Sequence, residues 1–290
     1  MHNICIVLIT YNPNLEELQK NISSYITQVK KVIVVDNSTT TDILPIIKKF
    51  DNIHSIFLGD NLGIAKAQNI GIQYAFENGF DFVVEMDQDS CLPNNYINDI
   101  YESYKILENQ GHKIAGIGPL SINKENGNTY LFDSHIDNNN FLIEVSETLS
   151  SGFLISKKSF EIVGYKNEDF FIDYVDWEWN WRAKAIGLKN FINKKLVIEH
   201  MLGNGHKKIL FWEIGIPTPI RHYYQYRNSL NLMKIDYISL NWKIKRIFIN
   251  FIKFFFILIF LDRKLLRLKY VLCGIKDFFK NKKGKISCVD

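Results

Sequence analysis

Cysteine is sparse in this chain. The four present, Cys5, Cys91, Cys273 and Cys288, lie far apart and form no CxxC pair, so neither a zinc site nor a disulfide framework is expected. A reducing cytosol is the compartment that such usage fits. The dinucleotide fingerprint GxGxxG is missing, and no internal repeat or low-complexity tract is found. The opening stretch MHNICIVLITYNP has neither a basic leader nor a small-residue cleavage site, so it reads as a first strand and not as a signal peptide. The Phe-rich run IFINFIKFFFILIFL at 247–261 would extend about 22 Å as a helix, short of a ~30 Å hydrocarbon core.

What the chain does have is apolar residues, 47% of 290, which is enough for a large core and excludes disorder. Its charge is unevenly placed. Residues 241–290 carry 13 Lys and Arg against 3 acidic residues, a net +10, and leave the remainder at −6. An acidic body with a basic tail is a statement about partners. The aromatics of the body are not interleaved with basic residues, so nucleic acid is not one of them.

Over the first 120 residues, β-branched runs at 4–10, 31–36, 55–59, 82–87 and 113–118 alternate with helical patterns near 14–28, 41–50, 63–78 and 94–109. Near-continuous apolar strands, each followed by a helix, predict a parallel sheet covered on both faces. Ligands of such sheets bind beyond the carboxyl ends of the strands, where Thr10, Asp36 and Asp87 stand. Residues 121–145, rich in Asn, Gly and Asp, predict an exposed connection or hairpin. Further on come SSGFLIS, an acidic aromatic stretch, a strand at 195–200 and a helix at 220–233.

Residues 82–91, FVVEMDQDSC, break from a strand into Asp87 and Asp89. Two carboxylates this close repel one another unless a cation joins them. Oxygen ligands of this kind suit Mg²⁺ or Mn²⁺, which would neutralise a diphosphate; a solvated turn is the plain alternative. An EF-hand is excluded, because Leu92 and Asn98 stand where Gly and Glu are needed. A phosphatase with an Asp nucleophile would carry the pair after its first strand, not its fourth. Asp36 is placed to accept ribose hydroxyls or a pyrimidine N–H, with Thr10 and Tyr11 beside it, though a helix cap would use it equally well. DNLGIAKAQNIG at 60–71, including Asn69, offers amides for phosphate or base contacts.

LITYNP, VVDNSTTTD, NLGIAKAQNIG and MDQDS, in this order and spacing, resemble the family-two inverting glycosyltransferases of GT-A fold, and among them the bacterial rhamnosyltransferases of O-antigen and surface polysaccharide. FIDYVDWEW, EHMLGNG and RHYYQYRN extend the resemblance over most of the chain. It implies an α/β fold with a mostly parallel, Rossmann-like sheet flanked by helices. It also implies that Asp36 holds the nucleoside, Asp87 and Asp89 the metal and diphosphate, and that Asp176 is the base. Inversion does require a base opposite the leaving nucleotide, and a carboxylate within reach of the acceptor hydroxyl suffices. DYVDWEW supplies Asp173, Asp176 and Glu178, with Trp177 able to stack on a sugar; Asp173 and Asp176 would share a helix face. An acidic helix N-terminus would suit its dipole as well. His200 would complete the metal site or be structural, Arg221 would neutralise the leaving diphosphate, and Gly152 would sit in an acceptor-side wall or a β-bulge. His222 and Arg227 share the RHYYQYRN stretch with Arg221.

In the tail, Lys243, Arg246, Asn250 and Lys253 form one polar stripe on a helix whose other faces are Phe, Ile and Leu. An in-plane amphipathic helix on anionic lipid fits this pattern; a buried helix or a dimer interface is the alternative. The expected organisation is a nucleotide-sugar half at 1–120, an acceptor and catalytic half at 121–240 of the same GT-A domain, and a membrane-associating tail at 241–290. The expected enzyme is cytoplasmic and peripheral on the inner face of the membrane. It would move L-rhamnose from dTDP-rhamnose, or a hexose from a UDP-sugar, to a lipid-linked saccharide. A nucleotidyltransferase and a catalytically silent scaffold are the rivals.

Overall fold

Every residue of Ile4–Thr10 (β1) is buried, and alternate side chains serve opposite faces of a sheet. Ile4, Ile6 and Leu8 join one hydrophobic cluster while Cys5, Val7 and Ile9 join another. A continuous apolar run is thus what a strand covered on both sides demands. The computed structural model describes residues 2–123, 127, 129, 140–200, 206–209 and 212–287.

Lys31–Asp36 (β2), Ile53–Phe57 (β3) and Phe82–Asp87 (β4) join β1 in parallel, in the order β3-β2-β1-β4. Leu15–Tyr25 (α1), the single turn Leu44–Ile47 (α2), Ile64–Glu77 (α3) and Tyr96–Asn109 (α4) alternate with them, close to the expected positions. The second half adds Ile114–Asn123 (β5), Leu142–Val145 (β6), Leu154–Ser156 (β7) and Lys189–His200 (β8), which complete one eight-stranded sheet. β8 is twice the expected length. β5 and β8 are parallel, whereas β7 runs antiparallel to β4 and β5, and β6 to β8. Most of the expected connection at 121–145 lies outside the described residues. Leu18, Ile22 and Tyr25 of α1 and Ile100 of α4 fill the cluster on one face. On the other lie Ile72 and Phe76 of α3, Phe160 of Lys157–Val163 (α5) and Trp179 of Val175–Ala185 (α6). His206–Ile209 (β9) and Trp212–Gly215 (β10) form a separate hairpin.

Residues 241–290 are not a separable tail. Arg221–Met233 (α7), Leu240–Phe260 (α8) and Lys264–Phe279 (α9) close one side of the body. Gly274 lets α9 lie directly on α7, since a Cβ there would stand 2.5 Å from the Tyr223 carbonyl oxygen. The buried Asp277 accepts a hydrogen bond from the Tyr223 hydroxyl at 2.9 Å. The fully buried Arg227 donates to the carbonyls of Gly284 at 2.7 Å and Asp169 at 2.9 Å. Cys273 is disulfide-bonded while Cys5 and Cys91 are free, so a disulfide is present at this helix where the spacing suggested no disulfide framework.

The polar stripe of α8 also faces the opposite way from a solvated one. Asn250 donates to Ser229 Oγ at 2.9 Å, Lys253 to Gln225, and Arg246 lies over the rings of Tyr174 and Trp242. The outward face is apolar: Ile244, Ile247, Phe248, Phe251, Ile252, Phe255 and Ile259 are all exposed.

Candidate active site

Parallel register places Thr10 opposite Asp36 and Ile9 opposite Asp87, so the carboxyl ends of β1, β2 and β4 meet at one edge. Thr10 Oγ1 donates to Asp36 Oδ1 at 2.6 Å, and the Ser38 amide donates to the same oxygen at 3.1 Å. Asp36 Oδ2 has no partner among the described residues. The loop after β2 is shaped by Asn12, whose Oδ1 accepts from the amides of Thr39 and Thr40 at 3.0 Å. Asp36 opens onto a cleft of about 320 Å³ lined also by Ser38, Thr40, Asp42, Phe57 and Gly59. Tyr11 is exposed, and its amide donates to Gln88 Oε1 at 2.7 Å, which ties the loop after β1 to the loop that follows Asp87 and carries Asp89.

Glu85 and Asp87 are two apart on β4 and so share a face. Asp176 lies in the first turn of α6, where a carboxylate suits the helix dipole. Between Glu85 and Asp176 sits Lys166: its Nζ is 2.7 Å from Glu85 Oε1 and 3.0 Å from Asp176 Oδ1, and its side chain is 2% exposed. Burial, then the charges of Asp89 and Asp176, push the Asp87 pKa up to about 8, against the pull of Lys166. Burial pushes Glu85 up to about 7 despite the same lysine. Burial opposes the charge of Lys166 itself, but Asp176 and Glu85 outweigh it and hold its pKa above the ordinary value.

Two carboxylates, Glu85 and Asp176, thus hold one ammonium, with Asp87 and Asp89 beside them, and an excess of negative charge of this kind suits a divalent cation. Among the described residues no group of three or more His, Cys, Asp or Glu side chains could hold a metal by itself. Asp87 and the exposed Asp89 fit such an ion as two oxygen ligands that need others from a bound ligand or water. The His200 side chain lies outside the described residues.

Several expected site residues serve the frame instead. The Asn69 side chain donates to the Lys166 carbonyl at 2.9 Å and accepts from the Lys166 amide at 2.9 Å, so it clamps the lysine's backbone and does not face a nucleotide. Gly152 is buried at φ +81°, and a Cβ would stand 2.7 Å from the Tyr96 hydroxyl; its role is close packing behind Glu85, not an acceptor wall. Glu178 is 2% exposed, accepts both Nε and Nη2 of Arg182 at 2.8 and 3.0 Å, and takes the Tyr237 hydroxyl at 2.5 Å, so it turns away from any acceptor.

Asp173 is not on a helix with Asp176. It precedes α6 at φ +67°, between Phe171 and Tyr174 at similar angles, and pairs with Arg221 through Nε at 3.2 Å and Nη2 at 2.5 Å. Such left-handed conformations cost on the order of 1–3 kcal/mol each. Asn228 offsets them by donating to the carbonyls of Phe170 at 2.9 Å and Ile172 at 2.8 Å. Trp177 is half-buried in an aromatic group with Tyr174 and Trp181. Burial, with Lys253 and Arg267 nearby, drops His222 to about 3, so it is a neutral buried ring. Lys166 and Glu85 were not singled out from sequence; the available signal was an acid inside the otherwise apolar FVVEMD, which requires a buried partner.

A sheet with acids at the carboxyl ends of β2 and β4 and a further acid entering α6 has the architecture of a GT-A glycosyltransferase. The chain belongs to glycosyl transferase family 2, whose family model matches residues 5–161. It is 35% identical over 264 residues to the dTDP-rhamnosyl transferase RfbF of Shigella flexneri, with 86% of each chain covered. It is 30% identical over 203 residues to the low-salt glycan biosynthesis hexosyltransferase Agl10 of Haloferax volcanii, covering 63% of this chain and 62% of that one. The fold is shared with S. aureus TarS 1-349 in complex with UDP-GlcNAc (TM-score 0.61, 15% identity, 97% of this chain and 81% of that one). It is shared too with GalNAc-T7 bound to UDP, GalNAc and Mn²⁺ (TM-score 0.58, 13% identity, 87% and 56%).

Proposed function

We propose that this glycosyltransferase moves L-rhamnose from dTDP-rhamnose onto a lipid-linked saccharide of a bacterial surface polysaccharide, with inversion, at the cytoplasmic face of the membrane. The observation that carries the reading is the placing of Asp36 and Asp87 at the carboxyl ends of β2 and β4, with Asp176 of α6 joined to β4 through Lys166, in a chain 35% identical to a dTDP-rhamnosyl transferase. Asp36, through its free Oδ2, accepts hydrogen bonds from the nucleoside, and the Tyr11 ring lies beside the base. Asp87 and Asp89 hold Mg²⁺ or Mn²⁺, which when bound would neutralise the donor diphosphate. Arg221, already tied to Asp173, stands ready to receive negative charge on the leaving group. Asp176 Oδ1 is held by Lys166, which leaves Oδ2 to take the proton of the acceptor hydroxyl.

For the membrane, the support is the outward apolar face of α8 together with the net +10 of residues 241–290. Among the described residues no helix is long and apolar enough to cross a membrane. A UDP-hexose donor is the second reading, favoured by the similarity to a hexosyltransferase. Thermal shift against dTDP-rhamnose and UDP-hexoses, with and without Mn²⁺, tests the choice, because only a ligand of the native state raises the melting temperature. A metal-dependent shift with dTDP-rhamnose is expected; a shift with UDP-hexoses alone would overturn the donor assignment.

A further inference from the structure

Lys166 is ten residues before Asp176 in sequence and 81 after Glu85, yet its ammonium touches both carboxylates. Its backbone is fixed as firmly as its side chain, because Asn69 of α3 accepts from its amide and donates to its carbonyl. The lysine therefore links three elements: α3 through Asn69, the acidic face of β4 through Glu85, and the N-terminus of α6 through Asp176. The loop that leads into α6 needs such a link, since Phe171, Asp173 and Tyr174 all adopt left-handed backbone angles there.

We infer that Lys166 is a positioning residue for glycosyl transfer, fixing the Asp176 carboxylate relative to β4 so that one oxygen is occupied and the other faces the acceptor. Glu85 is the counter-anchor that keeps the ammonium in place. This rests on the reading of Asp176 as the base. The ammonium neither meets substrate nor moves a proton; it acts through Asp176. A side chain aimed by a buried ion pair loses its aim when the pair is removed, and small misplacements of a base are costly in turnover.

Lys166→Met alone leaves Glu85 buried without a partner and so endangers folding. The informative variant is the double change Lys166→Met with Glu85→Gln, which removes both charges together. Circular dichroism and melting temperature establish that it folds; nucleotide affinity, donor KM and kcat are then compared with the parent, and again in an Asp176→Asn background. The expected result is unchanged donor KM and nucleotide affinity, with kcat lowered at least ~10-fold, and no further loss when Asp176 is already Asn. Lys166→Arg, which keeps a cation, should recover part of the loss. Parental kcat in the double variant would overturn the inference, as would an equal further loss in the Asp176→Asn background, which marks a merely structural pair. Near-normal turnover by Asp176→Asn itself would instead overturn the base assignment, and this inference with it.

Discussion

Removing the Glu85 charge should flatten the pH dependence of stability. Glu85 is 1% exposed, and burial raises its pKa from 4.5 to about 7. Between those values the folded chain keeps a proton that the unfolded chain has lost. The favourable contribution of neutral Glu85 is therefore full below pH 4.5 and is lost as pH rises through about 7. At ~1.4 kcal/mol per pKa unit, the loss amounts to about 3 kcal/mol. An unfolding entropy of ~2 cal/mol/K per residue over this length turns that into a fall of ~5 °C in melting temperature. Calorimetry from pH 4.5 to 8, without metal or nucleotide, gives the slope for the parent and for Glu85→Gln. The substitution also leaves Lys166 with Asp176 as its remaining carboxylate partner, so the absolute stabilities differ and the slopes are what is compared. Asp87 titrates in the same direction in both proteins. Parallel curves would refute the reasoning.

Asp89→Ala should abolish metal-dependent nucleotide binding, whereas Asp36→Asn should weaken binding with or without metal; titration calorimetry with and without EDTA separates the two. The triple change Phe248→Ser, Phe251→Ser and Ile252→Ser should lower co-sedimentation with anionic vesicles at least ~10-fold while transfer to a short water-soluble acceptor persists, because these side chains point away from the body. Unaltered vesicle binding would remove α8 from the membrane reading. Truncation after Asn241 should unfold the protein, as seen by circular dichroism, because Arg227 and Tyr223 would lose the Gly284 and Asp277 partners that α9 and the following segment supply. A stably folded truncation would contradict that packing.

β1, β2 and β4 were legible because a strand buried on both faces must be written almost wholly in apolar residues, as ICIVLIT and KVIVVD are; β3, an edge strand with no fully buried residue, reads two residues late in the sequence, at 55–59. Asp36, Asp87 and Asp176 are conspicuous in the sequence because an acid placed where such a run ends, or where a helix begins, stands out; the roles proposed for them are what the variants test. Asn69, Gly152 and Glu178 were misread for a common reason. Polar and glycine residues that build the frame of a site occur in the same motifs as those that face its ligand, and only partners distant in sequence separate the two kinds. Lys166 belongs with them, since its pairing with Glu85 spans 81 positions and leaves no local pattern. For α8 the helical period revealed a polar stripe but not its direction. That was decided by Ser229, Gln225 and Tyr174, whose polar groups and rings take up Asn250, Lys253 and Arg246.

The central claim is inverting rhamnosyl transfer with Asp176 as base, and NMR of the product of a single incubation tests it most directly. With dTDP-rhamnose, Mn²⁺ and a saccharide acceptor, the parent should yield a rhamnoside of inverted anomeric configuration and free nucleoside diphosphate. Asp176→Asn, binding the donor normally, should form product at least ~10²-fold more slowly. A product of retained configuration, release of pyrophosphate, or near-parental turnover by Asp176→Asn would contradict the account.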